Sequence, residues 1–320
     1  MNVYFYEAFE EEAKSLKTFL GNQLSYEMTD KTIQEIGHTV PPARLIRIRT
    51  QSIIPTEWSD KLDGVLSRST GYDHLKKYLD IIRKPLPCGY LEEYATRAVA
   101  EHAILLIMAL IRRLPQQMIQ FKHFNRDGLT GGECAGKNLL VVGVGRIGSE
   151  IVKIGSSLGM NVRGVDIVQR RKDLQYIGKE EGIVWADVII CSMNLTNENR
   201  GYFSYNFLKQ AKPGVLFVNI ARGEHAPIAD MLRLVQERHV GGLGLDVFED
   251  EPNVAVALRS EHTNTFPAAK VIKELLQHPN VLFTPHNAFN TMEAVQRKSR
   301  FSVDEVLYFI ENKDFRCRVR

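Results

Sequence analysis

The sequence predicts an α/β chain built on two doubly wound parallel sheets, and three observations predict it. Short apolar runs alternate with helix-patterned stretches from the first residues onward. A glycine-rich turn, Gly143-Val-Gly145-Arg146-Ile147-Gly148, closes one apolar run and opens a helical one. At 320 residues and 44% hydrophobic composition, the chain can bury a substantial core, and its length suggests about two domains.

In chain order, strand-like runs occupy 2–6, 44–49 and 64–67, with an amphipathic helix over 10–20 after the first. A long helix is expected over 98–120, with Pro115 near a kink. Its middle is apolar on nearly all sides, which places it between domains or between subunits. After the loop 127–132, six strands are expected at 138–143, 161–166, 187–191, 215–220, 241–246 and 280–284, with helical patterns between most of them. Six strands in this arrangement suit a dinucleotide-binding domain. A closing helix over 292–312 follows the last strand and is expected to cross back to the first domain. Internal repeats and low-complexity tracts are absent.

Composition excludes several partners. A formal charge of +3 is too small to argue for nucleic acid or an anionic membrane. The apolar run 103–111 is far short of a membrane span, which needs ~20 residues. Cys88, Cys134, Cys191 and Cys317 are widely spaced and form no CxxC, so neither a metal site nor a disulfide framework is expected. The N-terminus reads as a first strand rather than a signal peptide, and the basic end 316–320 as a solvated tail. A soluble cytoplasmic protein is the expectation.

The glycine turn has the context of a Rossmann unit. An apolar strand, Leu139–Val142, leads in, a helix leads out, and Asp166 ends the next strand 18 residues after Gly148. Gly143 permits the tight turn, Gly145 lets the backbone approach a pyrophosphate, and Gly148 lets helix and strand pack closely. The helix N-terminus attracts the phosphate charge. Asp166 is placed to accept hydrogen bonds from both adenine-ribose hydroxyls and to repel a 2′-phosphate, which favours NAD over NADP. Arg170 and Arg171, just beyond, could partly offset that repulsion.

Three further stretches each end an apolar run: Asn219-Ile-Ala221-Arg222-Gly, Asp246-Val-Phe-Glu-Asp-Glu251-Pro and Thr284-Pro-His286-Asn-Ala288. Arg222 offers a planar, permanently charged fork for a carboxylate. His286 is of the type that titrates near neutral pH and can exchange a hydroxyl proton. Glu251 beside it would stabilise imidazolium and orient the ring. Together these types describe interconversion of a 2-hydroxy acid and a 2-keto acid. Glu249 is close enough in sequence to compete with Glu251, and His102 reads as a structural residue of the long helix.

With the fingerprint, Arg222, Glu251 and His286 in this order, the chain resembles the D-isomer-specific 2-hydroxyacid dehydrogenases, in particular their D-lactate dehydrogenase-like members. The stretches Ser67–His74, Ala98–His102, Leu195-Thr196 and Lys212-Pro-Gly extend the resemblance over nearly the whole length. It implies two Rossmann-like domains with a cleft between them: a flavodoxin-like substrate domain over 1–97 and 288–320, and an NAD-binding domain over 98–287. It implies that Arg222 binds the substrate carboxylate and keto oxygen, that His286 is the acid/base, and that Glu251 pairs with it. Thr70 and Gly71 would add backbone N–H groups to the same carboxylate, and Tyr94 would line the substrate pocket. Ala221 and Asp246 would lie near the nicotinamide, Asn194 and Thr196 along the cofactor, and Arg146 and Ile147 in the fingerprint turn. A homodimer through the long helix is also implied.

The substrate is not fixed by these motifs. Tyr94 suggests lactate-type members, whereas Thr96-Arg97 looks more like phosphoglycerate-type members. Two alternatives stay open: an NAD(H)-sensing interaction protein of the C-terminal binding protein corepressor type, which keeps the same catalytic residues, and a phosphite dehydrogenase. The stretch 259–266, with His262, fits no family pattern and receives no role.

Overall fold

The computed structural model describes residues 2–259 and 266–319; residues 260–265, including His262, lie outside them. The chain divides into two compact units, Met1–Ala95 with Asn290–Arg320, and Thr96–Phe289. Thr96, Arg97, Ala288 and Phe289, given by the sequence to the first domain, cluster with the second.

The first unit holds five parallel strands: β1 (Val3–Phe5), β2 (Tyr26–Met28), β3 (Leu45–Ile48), β4 (Gly64–Ser67) and β5 (Cys88–Gly89). Their order, β2-β1-β3-β4-β5, is that of flavodoxin-like sheets. Strands β1, β3 and β4 are buried along their length, as expected of a parallel sheet covered on both faces. Side chains such as Ile46, Ile48 and Val65 are fully buried, and each contributes ~2 kcal/mol by leaving water. The helix Met292–Asn312 packs against the helix Glu10–Leu20 and so joins both chain ends in one unit.

The C-terminal segment corrects one expectation. Val319 is 4% exposed and donates its N–H to the Cys88 carbonyl at 2.8 Å, while Gly89 and Arg318 form an antiparallel bridge. The basic end therefore covers the β5 edge rather than forming a solvated tail, and Arg316 pairs with Glu305 at 3.2 Å.

The second unit holds seven parallel strands: β6 (Asn138–Val142), β7 (Asn161–Val165), β8 (Gln175–Tyr176), β9 (Val188–Cys191), β10 (Val215–Asn219), β11 (Val240–Leu245) and β12 (Val281–Phe283). The order is β12-β11-β10-β9-β6-β7-β8. Chain direction across the sheet reverses between β6 and β9, and ligands of open α/β sheets bind outside the carboxyl ends of the strands at such a point.

The long helix is shorter than its apolar pattern suggested. It runs over Thr96–Ile111, Arg113 takes a left-handed φ of 52°, and a second helix covers Leu114–Gln120. Pro115 sits in the first turn of that second helix, where its missing N–H costs nothing, so the break falls before the proline. The first helix lies against β11, where Gly242 and Gly244 leave room for Leu106 and Leu110. Among the described residues no helix is long and apolar enough to cross a membrane.

Candidate active site

The carboxyl ends of β6, β7 and β9 build the nucleotide turn. Gly143 follows β6 with φ +92°, and a Cβ there would stand 2.6 Å from the Met193 backbone nitrogen. A Cβ on Gly148 would stand 2.0 Å from the Gly143 carbonyl oxygen. A Cβ on Gly145 would meet nothing within 4 Å, so this peptide faces open space. Gly145 also begins the 12-residue helix Arg146–Ser157, whose N-cap makes no side-chain hydrogen bond. Open backbone at a helix N-terminus is what a pyrophosphate requires, and the turn fits a dinucleotide. Arg146 is exposed and Ile147 half-buried in the first turn of this helix.

Asp166, one residue beyond β7, is fixed by two backbone donors. Val144 N–H reaches one carboxylate oxygen at 2.6 Å, and Val168 N–H reaches the other at 2.8 Å. Each oxygen retains a lone pair for a ribose hydroxyl. Arg171, which the sequence offered as an offset to this charge, is engaged elsewhere. Its guanidinium forms an ion pair with Asp173 and donates to the Ser149 carbonyl at 2.8 Å.

The loop after β9 carries Asn194 and Thr196, both exposed. Asn199 ties it together, donating to the Asn194 carbonyl and accepting from Thr196 N–H, each at 2.8 Å. His225, fully buried, sets its two ring nitrogens 3.2 Å and 3.3 Å from the Asn199 and Met193 carbonyl oxygens. The loop is thus joined to the turn that bears Arg222. Burial lowers the pKa of His225 against the opposing effect of those carbonyls. No local pattern in the sequence marked this residue.

That turn follows β10. The buried Asn219 donates to the Arg222 carbonyl at 2.8 Å and accepts from Ala221 N–H at 3.0 Å, which shapes the main chain at 219–222. Arg222 Nη1 donates to the Ala221 carbonyl at 2.8 Å. A Cβ on Gly223 would stand 2.0 Å from the Phe248 carbonyl carbon. Only glycine allows the Arg222 turn to approach the loop after β11 this closely.

The loop after β11 separates the two glutamates. Glu249 accepts from the Ile228 N–H at 2.8 Å, at the start of the helix Ile228–Gln236, and burial raises its pKa. Glu251 opens the helix Glu251–Arg259, and both its oxygens lie 2.9 Å from His286 Nδ1. Of the two glutamates, Glu251 is therefore the one that meets His286, while Glu249 meets the helix Ile228–Gln236.

His286 sits in the turn after β12 with a left-handed φ of 50°. Such a conformation is uncommon for a non-glycine residue and persists only where surroundings enforce it. Asp246, 1% exposed, does so. Its carbonyl accepts His286 N–H at 2.9 Å, and its carboxylate accepts Asn287 N–H at 2.8 Å, Ala288 N–H at 3.0 Å and the Thr284 hydroxyl at 2.5 Å. Thr284 Oγ1 in turn lies 3.0 Å from His102 Nε2. His102 thus ties the long helix to the turn that carries His286, a contact across 182 positions that no sequence motif indicated.

In the first unit, Thr70 is exposed and Gly71 half-buried in the turn after β4. Tyr94 is 6% exposed, and its carbonyl accepts from Arg297 Nε at 2.9 Å.

The family model of the D-isomer specific 2-hydroxyacid dehydrogenase NAD-binding domain matches residues 104–288. Over 221 residues the chain is 34% identical to D-3-phosphoglycerate dehydrogenase of Bacillus subtilis, spanning 67% of this chain and 39% of that protein. It is 31% identical over 219 residues to D-lactate dehydrogenase of Escherichia coli, spanning 67% of this chain and 66% of that protein. Both matches thus span less than two thirds of the relative. The crystal structure of D-lactate dehydrogenase from Aquifex aeolicus, complexed with NAD and lactic acid, superposes with a TM-score of 0.85 at 27% identity, covering 98% of this chain and 96% of that one. With the matching model spanning more than half its length, the chain belongs to the D-isomer specific 2-hydroxyacid dehydrogenase family, and 104–288 is the NAD-binding domain of that family.

Proposed function

We propose that this protein is an NAD-dependent oxidoreductase that interconverts a D-2-hydroxy acid and a 2-keto acid, with a lactate-like or somewhat larger substrate. The observation that carries the reading is the His286–Glu251 pair, Nδ1 lying 2.9 Å from both carboxylate oxygens, at the end of β12. The bound nicotinamide cofactor supplies the hydride in reduction and accepts it in oxidation. Arg222 holds the substrate carboxylate and polarises the keto oxygen. His286, with Nδ1 engaged by Glu251, delivers a proton from Nε2 to that oxygen in reduction and removes it in oxidation. Glu251 stabilises the imidazolium and keeps the ring in its working orientation.

In the first unit, Thr70 and Gly71 offer backbone N–H groups to a substrate carboxylate, and Tyr94 serves as a substrate-binding side chain. Ala221 borders the nicotinamide, with Asp246 acting beside it through the His286 turn. Gly143, Gly145, Arg146, Ile147 and Gly148 receive the pyrophosphate, Asp166 the ribose, and Asn194 and Thr196 the remainder of the cofactor. A homodimer through the long helix is supported by the exposed apolar side chains of Leu105 and Met108 on that helix and of Met118, Ile119, Phe121 and Phe124 in the segment after it. The four free thiols suit a reducing, cytoplasmic setting.

The test follows NADH absorbance against pyruvate, 2-ketoisocaproate, phenylpyruvate, glyoxylate, hydroxypyruvate and oxaloacetate, with NADPH in parallel. Turnover of at least one keto acid with NADH is expected. Tight NADH binding with no turnover across the panel would reject the reading in favour of a nucleotide-sensing role.

A further inference from the structure

A hydrogen-bonded chain in the first unit ends on the turn 69–71. The Ser69 hydroxyl lies 2.7 Å from the Gly71 carbonyl oxygen, the Ser67 hydroxyl lies 2.7 Å from that of Ser69, and His74 Nε2 lies 2.9 Å from Ser67 Oγ. Ser67 is fully buried and Ser69 is 8% exposed. The polarity of the chain follows from proton count. A carbonyl oxygen only accepts, so the single Ser69 proton goes to Gly71. Ser69 then accepts from Ser67, which spends the single Ser67 proton, and Ser67 accepts from His74. His74 must carry hydrogen on Nε2.

We propose that His74, acting through Ser67 and Ser69, is a positioning residue that holds the Ser69–Gly71 turn in the shape that receives the carboxylate of a 2-keto acid. The inference rests on the role given above to the Thr70 and Gly71 amides. The rest of the strand end is fixed from behind. Arg68 is fully buried, donating to Glu12 at 2.8 Å and to the Tyr6 carbonyl at 2.6 Å, and the Ser69 carbonyl accepts Leu91 N–H at 3.1 Å. The peptide between Thr70 and Gly71 lies inside the ring that the Ser69 hydroxyl closes onto the Gly71 carbonyl. Fixing that carbonyl sets the direction of both amides before substrate arrives, so binding need not order them. The donor comes from the first turn of the helix Asp73–Ile82, which begins directly after the turn.

The carboxylate is bound equally in ground and transition states, so loss of the chain should raise KM for the keto acid and spare kcat. In His74→Phe and in Ser69→Ala, KM for the keto acid is expected to rise about tenfold, as one net hydrogen bond warrants, with kcat and the KM for NADH within about twofold. His74→Gln, whose amide can donate to Ser67, should recover most of the loss, and the double variant should be no worse than either single one. Selective 15N labelling of histidine should show His74 protonated on Nε2. If His74→Phe fails to fold, Ser69→Ala, which removes one oxygen, carries the kinetic test. An unchanged keto-acid KM in folded Ser69→Ala, or equal losses in kcat and in both KM values, overturns the proposal. If the parent protein turns over no keto acid, the catalytic reading itself falls. The tautomer then decides the chain: Nε2–H supports it, and Nδ1–H with a bare Nε2 overturns it.

Discussion

His286 Nδ1 lies 2.9 Å from both carboxylate oxygens of Glu251, a bifurcated contact that fixes the ring and places a negative charge against any imidazolium formed. In Glu251→Gln the orienting contact survives in part but the charge is lost. Reductive kcat/KM is expected to fall by about two orders of magnitude, typical of losing acid–base support. Steady-state reduction by the parent and the variant, at one pH, checks the loss.

Gly223 permits the Arg222 turn to pass the Phe248 backbone, and a Cβ would stand 2.0 Å from the Phe248 carbonyl carbon and 2.2 Å from its oxygen. The atoms in the way are all backbone of the Phe248–Glu249 peptide, so no side chain can give way. Gly223→Ala should therefore destabilise the protein by about 2 kcal/mol and weaken keto-acid binding by displacing Arg222. Calorimetric melting together with keto-acid KM reads the two effects.

Asp166 accepts Val144 N–H at 2.6 Å, and the proposed function assigns it the ribose hydroxyls as well. Asp166→Ala should weaken NADH binding more than NADPH binding, since the ribose hydroxyls lose an acceptor while the 2′-phosphate loses a repulsion. The ratio of the two dissociation constants, measured by nucleotide fluorescence, should shift by at least about tenfold toward NADPH. An unchanged ratio would remove Asp166 from cofactor choice.

Glu12 is fully buried in the first unit, beside Arg68 at 2.8 Å and Lys298 at 3.1 Å. Burial alone would raise its pKa, but Arg68, Lys298 and Arg49 outweigh it and hold the group at about 2 against an ordinary 4.5. Burial likewise pushes Lys298 down to about 7, so at acid pH both Arg68 and Lys298 face the carboxylate as cations. A depressed carboxylate pKa stabilises the fold fully above the unfolded value and loses that contribution as protons bind. Stability should thus fall between pH 4.5 and about 2. Urea midpoints across that range should show the fall, and Glu12→Gln should flatten it while lowering stability at neutral pH.

Elements with many patterned residues were legible in the sequence. The helices 10–20 and 292–312 and the strand 64–67 stand where their patterns put them. The edge strands Tyr26–Met28, Cys88–Gly89 and Gln175–Tyr176 were not, because two or three residues are too few to display a period. The apolar pattern of the long helix also ran past its true end, since the left-handed Arg113 leaves no mark in hydrophobicity. At the site, His286, Glu251 and Arg222 were visible as residue types ending apolar runs. The residues that hold them were not, because their partners are distant in sequence. His102 meets Thr284 across 182 positions, and His225 meets Met193 across 32. Which glutamate meets His286 was likewise visible only in the fold, where Glu251 contacts it and Glu249 accepts the first amide of a helix.

The most direct test of the central claim is steady-state reduction of pyruvate and 2-ketoisocaproate by NADH, comparing the parent protein with Arg222→Ala and His286→Ala. Turnover is expected in the parent, with a loss of about three orders of magnitude or more in kcat/KM in each variant and NADH affinity retained. Near-parental reduction by the His286 variant, in protein shown to be folded and to bind NADH, would contradict it.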